Sequence, residues 1–97
     1  MSNPTYFIAE VEICDAAALQ PYLDAVGATI VPFAPQMLVN GDAVTQLEGQ
    51  GPEGKIVIMR FDSKEAALGW YNSPAYQAII GYRTNATISR TYLVEGL

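Results

Sequence analysis

Phe61–Arg83, FDSKEAALGWYNSPAYQAIIGYR, is the stretch that decides the fold. Phe61 closes an apolar strand, and Ser63 follows as a helix N-cap, since a serine oxygen accepts from a free N–H of the first helical turn. Ala67, Trp70 and Tyr71 recur at helical spacing and predict a buried stripe. Asn72-Ser73-Pro74 interrupts that helix, with Ser73 as a new cap and Pro74 at the first position of a second helix. Tyr76, Ile79, Ile80 and Arg83 form the stripe of the second helix, which sets an arginine in line with apolar neighbours.

Upstream, Lys55–Phe61 reads as a strand, with Val57, Met59 and Phe61 on one face and Ile56, Ile58 and Arg60 on the other. Its β-branched content suits a central position. Tyr6–Ile13 alternates in the same way. Phe7, Ala9, Val11 and Ile13 make a wholly apolar face, expected under helices. Tyr6, Ile8, Glu10 and Glu12 make a mixed face, expected to be partly solvated or turned to a second subunit. Asp15 is the cap of the next helix, and Leu19, Tyr22, Leu23, Val26, Ile30 and Phe33 define its stripe. Pro21 predicts a short first turn over 15–20 and a main helix beginning near Pro21, ended by Pro32 and Pro35.

Gln36–Asn40 is a short predicted strand, followed by a Gly41-Asp42 turn, an extended arm over Ala43–Glu48 and a GQGPEG loop at 49–54. Ile88–Glu95 is the last strand. The order predicts an α+β fold, a ferredoxin-like β-α-β-β-α-β two-layer sandwich with an extra hairpin arm, as one domain over residues 1–97.

Composition narrows the function. The chain has 97 residues, 51% hydrophobic and 15% charged, against a usual charged share of roughly 25%. A domain this small hides only about 60–65% of its unfolded surface, so apolar surface is left over and a homodimer is expected. Ten acidic and five basic residues give a net charge of −5. The chain has no basic run, which argues against nucleic acid and against a polybasic membrane patch. The N-terminus lacks the pattern of a signal peptide, and no apolar run reaches the length of a membrane-spanning helix, so the cytoplasm is the expected location. Cys14 is the only cysteine, and there is no histidine. A His-ligated metal, a haem with a proximal histidine and a Ser-His-Asp triad are therefore excluded, and neither metal nor cofactor is expected.

Phe61-Asp62-Ser63 with Glu65-Ala66-Ala67, then Trp70-Tyr71-Asn72-Ser73-Pro74 with Tyr76-Gln77, resembles the bacterial domain-of-unknown-function 1330 family. Tyr92-Leu93-Val94-Glu95-Gly96 and Tyr6–Asp15 resemble that family's last and first strands, so the resemblance runs over nearly the whole chain. It implies a subunit of the dimeric α/β-barrel superfamily, in which two sheets pair into a barrel and pockets lie between a subunit's sheet and its helices. It does not imply an activity. The chain departs from the family pattern at Ala34-Pro35, where a Gly-Gly pair is usual, and at Asn40, where an arginine precedes the glycine.

Arg83, Tyr76, Trp70, Asn72 and Ser73 are the candidate ligand-binding residues. The planar guanidinium of Arg83 suits a carboxylate or enolate oxygen, although a salt bridge to Glu48, Asp62 or Glu95 would account for the same position. Trp70 and Tyr76 offer apolar bodies with polar tips, or plain core packing. Ser73 reads as a cap rather than a nucleophile, and Glu10 with Glu12 as a solvated or interface face rather than an acid–base pair. Three functions remain open: a dimeric binder of a small anionic or aromatic molecule, a cofactor-independent monooxygenase or isomerase acting on an enol or aromatic, and a structural or interaction protein without a ligand.

Overall fold

In the computed structural model, which describes residues 3–97, the alternation of the first strand is visible directly in its burial. Strand β1 (Thr5–Ile13) hides Phe7, Ala9 and Val11 and leaves Ile8, Glu10 and Glu12 half-covered on the other side. Helix α1 (Ala16–Ile30) follows, capped by the Asp15 carboxylate, which accepts from the Ala18 N–H at 3.0 Å. A 3-10 turn (Val31–Phe33) leads to β2 (Gln36–Gly41), and β3 (Lys55–Phe61) comes next. Helices α2 (Lys64–Tyr71), α3 (Pro74–Gln77) and α4 (Ile80–Ala86) precede β4 (Thr87–Glu95).

The sheet has the order β2-β3-β1-β4 and is antiparallel throughout. Its register sets Phe7 between Met59 and Leu93, Ala9 between Val57 and Thr91, and Val11 between Lys55 and Ser89. The helices pack on this face, and the Cα atoms span 38 × 35 × 15 Å, the thickness of one sheet and one helical layer. The opposite face has no helix over it: Val39, Tyr92 and Val94 are each about two-fifths exposed, at 39%, 43% and 46%.

Trp70 is the centre of the covered layer. Its ring meets Phe7 edge-on at 5.1 Å, stacks on Phe61 at 5.8 Å and lies 4.2 Å from Tyr76, centroid to centroid. Its indole N–H donates to Thr29 Oγ1 at 3.1 Å, and Thr29 in turn donates to the Val26 carbonyl at 2.7 Å. The buried donor is thus satisfied, and α2 is tied to α1.

Four expectations are corrected. Helix α1 is continuous through Pro21 rather than starting there. Proline lacks the N–H that would bond Ala17, but this turn is exposed and water can take the free carbonyl, while Leu19 beside it is buried. The second helical segment is two short helices, α3 and α4, broken at Ala78-Ile79. Ile13 extends past the helical cover and is 43% exposed. Ala43–Glu48 forms no strand among the described residues: the Val44 N–H turns back to Asp42 O, and the Gln46 amide bonds the carbonyls of Glu48 and Gly49, which closes the segment on itself.

The 3-10 turn ends at Ala34, whose φ of 43° and ψ of 49° are left-handed. A non-glycine residue there costs about 1–2 kcal/mol, because its Cβ crowds the following carbonyl oxygen. This is the place where the family resemblance leads one to expect glycine. Ala34→Gly should therefore raise stability by about 1 kcal/mol, part of the gain being offset by the freer unfolded chain. Urea denaturation measures this, and an unchanged or lowered midpoint would contradict the assignment of strain.

Candidate functional site

A cavity of about 100 Å³ lies between the covered sheet face and α1. Such a volume is of the same order as the ~150 Å³ apolar cavity that takes up benzene. Phe7, Val11, Val57 and Met59 form its floor, and Leu19, Val26 and Ile30 its helical wall. Its opening is bordered by Ile13, Leu23, Met37 and Asn40, all exposed. The polar groups on its wall are few: Arg83, Lys55, Asn40, Tyr22 and the already bonded indole of Trp70.

Arg83 is only 6% exposed. Its Nη1 donates to Ser89 Oγ at 2.6 Å, while its Nε is buried without a hydrogen-bond partner. The guanidinium carbon stands 6.0 Å from the centre of the Tyr22 ring. Among the described residues the ion pairs are Arg60–Asp62, at 3.3 Å, and Arg90–Glu10, so Glu48, Asp62 and Glu95 do not neutralise Arg83. Burial works against its charge, but the oxygens of Tyr76 and Tyr22 more than offset that and hold its pKa above the ordinary arginine value. Tyr22 shares a 2.8 Å hydrogen bond with the Tyr76 hydroxyl. Burial, then the neighbouring Tyr76 phenol, pushes the Tyr22 pKa far up, so Tyr22 stays a neutral phenol.

Of the residues picked out by sequence, Arg83 and Trp70 line the cavity. Tyr76 does not; it is fully buried behind Tyr22 and reaches the site through the shared hydroxyl bond. Nor do Asn72 and Ser73. Ser73 Oγ accepts from the Tyr76 N–H at 3.2 Å and donates to the Trp70 carbonyl at 2.7 Å, and Asn72 ends α2 with its N–H on Leu68 O. These two residues join α2 to α3 and hold Trp70 and Tyr76 at their 4.2 Å separation. From sequence, Tyr22 reads as a stripe residue, Asn40 only as a departure from the family pattern, and Lys55 does not stand out. The signal for Lys55 was its parity, since it stands two residues before Val57 and shares its face.

Glu10 is engaged elsewhere. It accepts from the Tyr92 hydroxyl at 2.8 Å and from Arg90, and these two bonds, Tyr92 first, hold its pKa below the usual carboxylate value. It braces β1 to β4 on the uncovered face. No cluster of three or more potential metal ligands occurs among the described residues. No helix among them is long and apolar enough to cross a membrane.

Residues 4–97 match the family described as Domain of unknown function (DUF1330). The chain belongs to that family. Among solved structures it is similar to RPA0582, a protein of unknown function from Rhodopseudomonas palustris, at 17% identity and TM-score 0.81, over 100% of this chain and 85% of that one. It is also similar to SnoaB, a cofactor-independent oxygenase from Streptomyces nogalater, at 10% identity and TM-score 0.69, over 99% and 95% of the two chains. A dimeric ferredoxin-like protein of unknown function from Thermobifida fusca matches at 11% identity and TM-score 0.69, over 99% and 93%. At these identities the likeness shows the fold, an α+β arrangement with a four-stranded antiparallel sheet and helices. None of the curated proteins matches this DUF1330 chain.

Arg83 has one bond to Ser89 and no carboxylate partner among the described residues, and the Tyr76 and Tyr22 oxygens more than offset its burial. Arg83→Met should therefore cost about 1–2 kcal/mol, the worth of the charge-assisted contacts that it loses. A loss of several kcal/mol on denaturant unfolding would instead make Arg83 a structural keystone.

Proposed function

We propose that this DUF1330 protein is a small homodimeric ligand-binding protein whose pocket, between sheet and helices, takes a small anionic or aromatic molecule. One observation carries this reading: a cation that is only 6% exposed, with no carboxylate partner among the described residues and an unpartnered Nε, on the wall of an apolar cavity. Arg83 is the anion's partner, Trp70 packs against the ligand's body, and Tyr76 acts through Tyr22. Asn72 and Ser73 serve as positioning residues at the α2–α3 junction. The uncovered sheet face, with Ile8 and Ile58 paired at its middle and Val39, Tyr92 and Val94 beside them, supports a two-fold dimer through that face. A net charge of −5 supports a partner other than nucleic acid.

The test is a thermal-shift screen of small carboxylates, phenols and aromatic acids, run on protein whose mass is first measured by sedimentation equilibrium. The expected results are twice the chain mass and a Tm that rises with ligand concentration, because a molecule that binds only the folded state stabilises it by mass action. A monomer sinks the dimer, and a flat screen sinks the ligand.

The likeness to SnoaB favours a second reading, a cofactor-independent oxygenase or isomerase working on an enol or hydroxylated aromatic. Arg83 would then stabilise the enolate oxygen by a preformed donor, at a site walled by apolar groups that exclude water. Oxygen uptake with hydroxylated polycyclic aromatics checks this. Turnover should fall at least about a hundredfold in Arg83→Met, and equal turnover in the variant would remove Arg83 from the chemistry.

A further inference from the structure

We propose that the pocket selects molecules bearing an anionic oxygen at each end of a short apolar body, with Arg83 holding the inner end and Lys55 the outer. The inference rests on the ligand-binding reading above and goes on to name the class of ligand. It starts from the sheet register. Ser89 on β4, Val11 on β1 and Lys55 on β3 face one another in a single row across the covered face. Arg83 is bonded to Ser89, at one end of this row. Lys55 stands at the other end, two strand spacings away, or about 10 Å between backbones. Val11 lies between the two cations, and all three line the same cavity.

Charge makes the arrangement unusual. The chain has only five lysines and arginines and ten acidic residues, yet two of the five cations and none of the acids line this cavity. Arg60 and Arg90 have carboxylate partners, whereas Arg83 and Lys55 have none among the described residues. A ligand with a single charge would satisfy one cation and leave the other facing apolar surface. A molecule with two acidic ends answers both, and its body lies on Val11, Val57 and Met59.

The two ends also differ in access. Arg83 is buried, while Lys55 is half-buried beside exposed Asn40 at the opening. The first charge therefore enters and loses its water, and the second stays near solvent. Backbone geometry holds the outer end in place. Gly54, with φ at 77°, precedes Lys55, and a Cβ there would meet the Val11 carbonyl oxygen at 2.1 Å. Only glycine lets β3 begin so close against β1 and bring Lys55 level with Val11.

The experiment is titration calorimetry with α,ω-dicarboxylates of increasing chain length and with aromatic dicarboxylates, each compared with the monocarboxylate of equal size. The expected result is that the best diacid binds at least about tenfold tighter than its monoacid, the worth of one added charge-assisted hydrogen bond. Affinity should peak at an intermediate length. In Lys55→Met, shown to be folded by circular dichroism, the diacid should fall to the level of the monoacid. In Arg83→Met both series should weaken. Monoacids that bind wild type as tightly as diacids, or a diacid preference that survives Lys55→Met, would overturn the inference while leaving the ligand-binding reading intact. Absence of binding by either series overturns it too, and the broader thermal-shift screen then decides the parent reading separately.

Discussion

The indole of Trp70 joins α1, α2 and α3 to the sheet. Its faces and edges meet Phe7 on β1, Phe61 on β3 and Tyr76 on α3, while its N–H reaches Thr29 on α1. Those contacts draw α1, α2 and α3 onto one side of the sheet. Because the side chain is 1% exposed, its single polar atom needs a partner inside the protein, and Thr29 is the buried hydroxyl that meets it. The cavity runs from this aromatic centre, where Trp70 and Phe7 line it, toward Val11 and Lys55.

Arg83 carries the tension between stability and function. Most buried charges in small domains are paired, because an unpaired one keeps its desolvation cost. Here the surroundings are a serine hydroxyl and the hydroxyl-linked Tyr22–Tyr76 pair, and no carboxylate among the described residues. They orient the guanidinium and offset its burial without forming an ion pair. In the proposed binding role the fork would meet an oxyanion with its donor geometry already set by Ser89 and Tyr22. The uncovered sheet face presents a separate constraint. It carries charge at Glu10, Glu12, Arg60 and Arg90 around the apolar Ile8, Ile58 and Val94, and it is the face through which the proposed dimer would form.

Much of the architecture was legible locally. Alternation in β1 and β3, the caps at Asp15, Ser63 and Ser73, and the Trp70 stripe all rest on neighbours within a few residues, where strand and helix periods act directly. Pro21 misled because its local cost is real yet is outweighed by the packing of one face of α1, through Leu19, Tyr22, Val26 and Ile30. Ala43–Glu48 misled because extended chain becomes a strand only with a partner edge, and the Gln46 side chain takes carbonyls that such an edge would need. Arg83 and Trp70 stood out as residues of the wrong or the largest type on an apolar stripe. Lys55 and Tyr22 did not, since a lysine at a strand start and a tyrosine on a stripe are ordinary when read singly.

The sequence by itself determined the order of the main strands and helices, which faces are apolar, the caps at Asp15, Ser63 and Ser73, and that no histidine or cysteine pair is present to support the commonest metal and nucleophile chemistry. Those properties follow from residue type and short-range spacing. Tertiary structure decided that Arg83 has no carboxylate partner among the described residues, that Tyr76 lies behind Tyr22, and that Arg83, bonded to Ser89, stands at the far end of the Ser89–Val11–Lys55 row from Lys55. Their backbones lie 28 residues apart in sequence, and only antiparallel pairing of β3 and β4 on either side of β1 brings them to the same cavity.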